Sequence, residues 1–228
     1  MSSPGMDLQI DVGERLGTVS GILLRPSNAW AGYVMAHGAG AGMRHPFMAA
    51  VAESLAQQGI ATLRYQFPYT ESGGRRPDPP GVLQATVQAA VAKAREVAPE
   101  LPLVAGGKSL GGRMTSHAAA RHVLPGVLGL VFLGFPLHPP KQPGERRADH
   151  LREVEVPMLF LQGTRDTLAE LDLITAVCGR LGSRASLHVV EGADHSFAVL
   201  KRSGRTAAEA MEELVTTITQ WVRSLLPP

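Results

Sequence analysis

Leu103-Val104-Ala105-Gly106-Gly107-Lys108-Ser109-Leu110-Gly111-Gly112-Arg113-Met114 is the stretch whose reading decides the fold. An apolar, strand-compatible run leads into G-x-S-x-G, and a helix-compatible segment follows. A serine placed between a strand and a helix on so tight a turn has its hydroxyl held out at the carboxyl edge of a sheet, the arrangement of a nucleophile elbow. Gly107, Gly111 and Gly112 are the small residues that let strand and helix approach closely. Gly107-Lys108-Ser109 also matches the end of a phosphate-binding loop. That loop needs a glycine five positions before Gly107, where the chain has Pro102. The apolar run Gly129–Gly134 also lacks the terminal Asp that would hold magnesium.

Working outward from the elbow, apolar runs alternate with helical patterns. β-like segments fall at Leu8–Val12, Gly17–Leu24, Tyr33–Ala36, Ile60–Tyr65, Leu103–Gly106, Val127–Leu133, Pro157–Gln162 and Ala185–Val190. Helices are expected over Pro46–Gln58, Val82–Val97, the segment after Ser109 to about His122, Leu168–Leu181 and Thr206–Leu225. Gln66–Pro80 and Pro136–Pro143 read as loops. Strands alternating with helices predict an α/β fold, a largely parallel sheet covered on both faces. Neither a repeat nor a linker divides the chain, so residues 1–228 read as one domain, with 1–7 expected to be flexible. In such sheets ligands gather beyond the carboxyl ends of the strands.

Composition narrows the function. The chain has 228 residues, 44% of them hydrophobic and 18% charged, which is the balance of a globular domain. A formal net charge of +2, with Lys and Arg scattered, gives no footprint for nucleic acid. The single cysteine, Cys178, cannot form an internal disulfide and reads as a core residue. No apolar run is long enough to span a membrane. The first residues lack a basic start and an apolar signal core, so a cytoplasmic location is expected.

Three loops after strands hold the parts of a hydrolytic site. Ser109 is the candidate nucleophile, and its hydroxyl needs a base. His195, in Glu191-Gly192-Ala193-Asp194-His195-Ser196-Phe197, offers one. Asp166, in Gly163-Thr164-Arg165-Asp166, offers the carboxylate that would orient the imidazole. Each has a plain structural alternative: Asp166 before Thr167-Leu168 suits a helix N-cap, and a single histidine after a strand is often structural. Asp194 adjoins His195, but neighbours in a loop point apart, so it reads as structural. The conjunction carries the assignment, because Ser, Asp and His follow apolar strands in the required order. The oxyanion donors expected are the backbone N–H groups of Leu110 and Ala39, with Gly40 as alternate to Ala39. Gly38-Ala39-Gly40-Ala41-Gly42 fails as a dinucleotide fingerprint, since its third glycine would fall at Met43. His117 and His122 are five apart, the wrong separation for a metal on one helix face. The chemistry calls for no cofactor and no metal.

At this level the chain resembles small α/β-hydrolases related to dienelactone hydrolase. More narrowly, it resembles bacterial hydrolases carrying A-H-G-A-G-A-G-M, L-R-Y-Q-F-P-Y, G-G-K-S-L-G-G-R-M, F-P-L-H-P-P and Q-G-T-R-D. These stand here at Ala36–Met43, Leu63–Tyr69, Gly106–Met114, Phe135–Pro140 and Gln162–Asp166. The resemblance implies an eight-stranded α/β-hydrolase fold and a triad on Ser109, Asp166 and His195. It implies no particular substrate: dienelactone hydrolases proper use a cysteine where this chain has Ser109. Related domains in chromatin-associated subunits make a non-catalytic assembly module the alternative. The expected activity is cleavage of a small carboxylic ester or related acyl compound by a monomer or homodimer. The connector Phe135–Val156 is too short and polar for a large lid. Tyr69, Arg75, Arg76 and His138 are expected to contact substrate, forming an aromatic wall and a positive rim for small, even anionic, acyl groups.

Overall fold

Apolar runs bounded by Gly and Pro become the strands, and the central ones are buried on both faces, as a parallel sheet covered by helices requires. The structure, a computed structural model, describes residues 5–122 and 124–227. Its strands are β1 (Met6–Asp11), β2 (Thr18–Leu24), β3 (Ala31–Ala36), β4 (Ile60–Tyr65), β5 (Leu103–Lys108), β6 (Val127–Leu133), β7 (Met158–Gly163) and β8 (Ala185–Val190). Its α-helices are α1 (Pro46–Gln57), α2 (Pro68–Glu71), α3 (Pro80–Val97), α4 (Leu110–Ala120), α5 (Leu171–Leu181) and α6 (Ala207–Ser224). The sheet order is β1-β2-β4-β3-β5-β6-β7-β8, with β1–β2 and β2–β4 paired antiparallel and the remaining pairs parallel.

Two apolar layers flank the sheet. One is made with α1 and α6 through Met48, Val51, Leu55, Leu214, Ile218 and Val222. The other is made with α3, α4 and α5 through Leu83, Val87, Met114, Ile174 and Val177. Truncating one such side chain to Ala costs about 2–5 kcal/mol. Helix α6 begins where expected, because Thr206 and Glu209 form a reciprocal capping box. No helix of the described residues is long and apolar enough to cross a membrane.

Three expectations are corrected. The first strand, expected from Leu8, begins at Met6, because Met6 and Asp7 pair with Leu23 and Ile22 of β2; residues 1–4 lie outside the described residues. The loop Gln66–Pro80 contains α2, which Pro68 starts at a position where its missing N–H costs nothing. Helix α5 begins at Leu171 rather than Leu168, because Leu168 is drawn off: its N–H binds Asp166 and its carbonyl receives the amides of Leu137 and His138.

The register places the site. Ala36 of β3 pairs with Gly107 of β5, Lys108 with Leu133 of β6, Leu133 with Leu161 of β7, and Gly163 with Val190 of β8. The chain therefore leaves β3, β5, β7 and β8 along one edge of the sheet, and four loops open side by side.

Candidate active site

Ser109 sits where β5 turns into α4, with φ 50° and ψ −114°. A non-glycine residue at positive φ is strained, and such strain persists only where the surroundings enforce it. They do so here through close packing. A Cβ on Gly107 (φ 141°) would lie 2.1 Å from the Ala36 carbonyl oxygen, and one on Gly111 2.5 Å from the same atom. Only glycine at both places lets β3, β5 and α4 meet and pushes Ser109 outward.

His195 Nε2 lies 2.9 Å from Ser109 Oγ, and its Nδ1 lies 2.7 Å from Asp166 Oδ2. A carboxylate only accepts, so the imidazole carries its hydrogen on Nδ1 and presents the Nε2 lone pair to the serine hydroxyl. Asp166 is 3% exposed. Its Oδ1 accepts from the Leu168 amide at 2.8 Å and its Oδ2 from Gln162 Nε2 at 2.5 Å. The Gln162 Oε1 in turn accepts from the Phe135 amide at 3.1 Å. The carboxylate is thus held from three sides.

Asp194 does what a neighbour in a loop can do. Its Oδ1 accepts from the amides of Ser196 and Ala198 at 2.8 and 3.0 Å, so it shapes the turn that carries His195. Lys108 holds the same turn from the other side, with Nζ donating to the His195 carbonyl at 2.5 Å. Burial pushes the Lys108 ammonium down to about 8, against the pull of Asp166 and Asp194.

The glycine-rich loop after β3 is fixed by His37. Burial pushes this imidazole down to about 4, so it is neutral at pH 7. Its Nδ1 donates to the Gly38 carbonyl at 2.7 Å, and its Nε2 accepts from the Phe67 amide at 3.3 Å. In a trans peptide the N–H points opposite to the C=O. Anchoring the Gly38 carbonyl therefore turns the Ala39 N–H away from His37. The amides of Ala39 and Leu110 have no hydrogen-bond partner among the described residues, and Ala39, Ser109 and Leu110 line one cleft. The Gly40 amide is engaged by the Tyr69 hydroxyl at 3.2 Å.

The four expected substrate contacts lie elsewhere. Tyr69 is buried, with its ring stacked on Phe67 and its hydroxyl facing Gly40. Its role is to support the loop after β3, because α2 turns the ring inward. His138 is buried with Nδ1 against the Pro139 carbonyl and Nε2 against Glu170. Arg75 and Arg76 are exposed in the segment after α2. None of the four lines a cleft that touches Ser109.

Two clefts of about 330 Å³ each meet at Ser109. One is bordered by His45, Phe47, Met48, Lys108, His195 and Ser196. The other is bordered by Asp78, Leu110, Arg113, Pro136 and Arg147. Ala39 and Leu168 border both.

The model of the alpha/beta hydrolase domain matches residues 30–223. The chain belongs to the alpha/beta hydrolase domain family. That family places it among the hydrolases. Solved structures of similar fold include a dienelactone hydrolase from Anabaena variabilis, with 22% identity, full coverage of both chains and a TM-score of 0.77. A lidless α/β serine hydrolase from Xanthomonas campestris has 17% identity over 97% of this chain and 96% of its own, with a TM-score of 0.74. An α/β serine hydrolase homologue from Coxiella burnetii has 21% identity over 95% and 98%, also with a TM-score of 0.74. These likenesses carry the alpha/beta hydrolase fold.

The sequence pattern alone does not mark Gln162, Lys108, His37, Arg113 or Arg147 as site residues. Gln162 did leave a signal, as a polar residue at the end of an otherwise apolar strand that must find partners once buried.

Proposed function

We propose that this chain is a serine hydrolase of small carboxylic esters, working through Ser109, His195 and Asp166. The observation that carries the reading is the unbroken relay from Ser109 Oγ through His195 to Asp166, at 2.9 and 2.7 Å. Ser109 Oγ adds to the ester carbonyl as His195 Nε2 takes its proton. The negative oxygen of the tetrahedral intermediate receives the amides of Ala39 and Leu110. The carbon–oxygen bond to the alcohol breaks, and His195 gives its proton to the departing oxygen. Water then adds to the acyl-serine, losing a proton to His195. Collapse releases the acid and returns the proton to Ser109. Atoms balance with ester and water alone. Asp166 keeps the imidazole tautomer and steadies the imidazolium, and Gln162 and Lys108 hold Asp166 and the His195 loop in place.

An assembly module would gain nothing from the strained Ser109 or from two amides left free beside it. The test is hydrolysis of 4-nitrophenyl acetate by the wild type and by Ser109→Ala. Loss of about 10³-fold or more in kcat with an intact fold supports the reading. Retained hydrolysis removes Ser109 from the chemistry.

A further inference from the structure

The two clefts at Ser109 differ in the group each can receive, and this inference rests on the ester hydrolase reading above. His195 must protonate the leaving oxygen, so the alcohol occupies the cleft bordered by His195 and Ser196. The acyl group then extends into the other cleft, past the Leu110 amide. Two arginines border it. Arg113 stands one turn along α4 from Ser109, and Arg147 projects from the 3₁₀ segment Arg146–Glu153.

These guanidinium groups lack the partners that arginines ordinarily have. Neither forms an ion pair with any described carboxylate. Arg113 Nε is buried with no hydrogen-bond partner. Arg147 spends one N–H on the His138 carbonyl at 2.8 Å. Asp78 borders the same cleft, with one carboxylate oxygen accepting from the Tyr69 amide at 2.8 Å, so two cations and one anion border the volume and the balance is positive. Arg113 and Arg147 border one cleft, and burial, then the Arg147 charge, lowers the affinity of Arg113 for its proton. The adjoining His117 and His150 rings stack at 3.5 Å and supply no anion. Two cations bordering an empty volume suit a planar, bidentate anion.

We propose that this cleft is an acyl subsite for a terminal carboxylate, so that the preferred substrates are monoesters of short dicarboxylic acids. The positive charge sought at Arg75 and Arg76 is supplied instead by Arg113 and Arg147. A carboxylate there neutralises the pair and gives Arg113 an acceptor, while the ester at the other end reaches Ser109.

The test compares kcat/KM for mono(4-nitrophenyl) adipate with that for 4-nitrophenyl hexanoate, which differ in the terminal charge. The adipate should be favoured on the order of 10- to 100-fold, the range for a charge-assisted pair of hydrogen bonds. Arg147→Gln and Arg113→Met should each lower that ratio on the order of 10-fold or more. Arg147 is the safer of the two for folding, being the less enclosed. Arg15→Gln, which removes a distant exposed charge, should leave the ratio intact. A second pair places the charge on the alcohol: 4-carboxyphenyl hexanoate against 4-carbamoylphenyl hexanoate. A preference confined to that pair overturns the assignment of the clefts. Ser109-dependent cleavage of both nitrophenyl esters at equal efficiency overturns the carboxylate subsite and leaves the esterase reading standing. Failure to cleave either ester, with no fluorophosphonate adduct at Ser109, overturns the esterase reading and the subsite with it.

Discussion

Replacing Gln162 by Leu should separate the support of the site from its chemistry. Leu fills similar space in the core but cannot donate to Asp166 or accept from Phe135. The Phe135 amide, now bonded at 3.1 Å, would be left buried without an acceptor, at a cost of about 1–3 kcal/mol. The hydrogen bond to Asp166 Oδ2 would also go, although the carboxylate keeps the Leu168 amide and His195. The sum is about 2–4 kcal/mol, or about 5–10 °C in Tm for a chain of this length. The loosened carboxylate no longer fixes His195, and misplacement near 1 Å costs about 10²-fold in rate. kcat on 4-nitrophenyl acetate should therefore fall about 10- to 100-fold, with KM little changed. Gln162→Glu puts a second carboxyl against Asp166, and two carboxylates so close cannot both ionise. One proton is then held up to unusually high pH, and both stability and kcat should decline as pH rises and removes it. Calorimetry and steady-state kinetics read both effects. Wild-type Tm and kcat for Gln162→Leu would refute the argument.

Asp166→Asn should lower kcat by as much as about 10⁴-fold through the wrong imidazole tautomer, whereas Asp194→Asn should act mainly on stability, by about 1 kcal/mol, because it loosens only the turn; kinetics and Tm give the ranking, and the reverse order would move the acid to Asp194. His37, His117 and His150 are pushed down by burial to about 4, 4 and 3, so between pH 6.5 and those values the unfolded chain binds more protons than the native one. Stability is therefore full above about pH 6.5 and is lost as pH falls through that window; a Tm that holds constant from pH 7 to pH 4.5 would contradict this. Among neutral esters, kcat/KM should fall from butyryl to decanoyl, since the clefts at Ser109 are about 330 Å³ each and no large lid extends them. A preference for long chains, or activation by a lipid interface, would count against that.

Most of the site was legible because its parts lie at the ends of apolar strands. Glycines on both sides of Ser109 announced a strand–turn–helix junction, and the junction stands at β5 and α4. His195 and Asp166 follow β8 and β7, and the parallel register brings them together across 29 residues of sequence. Which side chains border the clefts at Ser109 is not legible in the sequence, because exposure is decided by packing in three dimensions. Tyr69 looked like a wall residue in a Pro-rich loop, but α2 turns it into the core against Phe67. Arg75 and Arg76 are a pair in sequence, while Arg113 and Arg147, 34 residues apart, border one cleft because the 3₁₀ segment packs on α4. His138 gave no hint that Glu170, from the start of α5, would take its Nε2.

The most direct test of the central claim is covalent labelling of the intact protein with a fluorophosphonate. The account predicts one adduct per chain, mapped by peptide mass spectrometry to Ser109 and absent from a folded Ser109→Ala variant. A wild type that stays unlabelled, or a label that persists in Ser109→Ala, would contradict it.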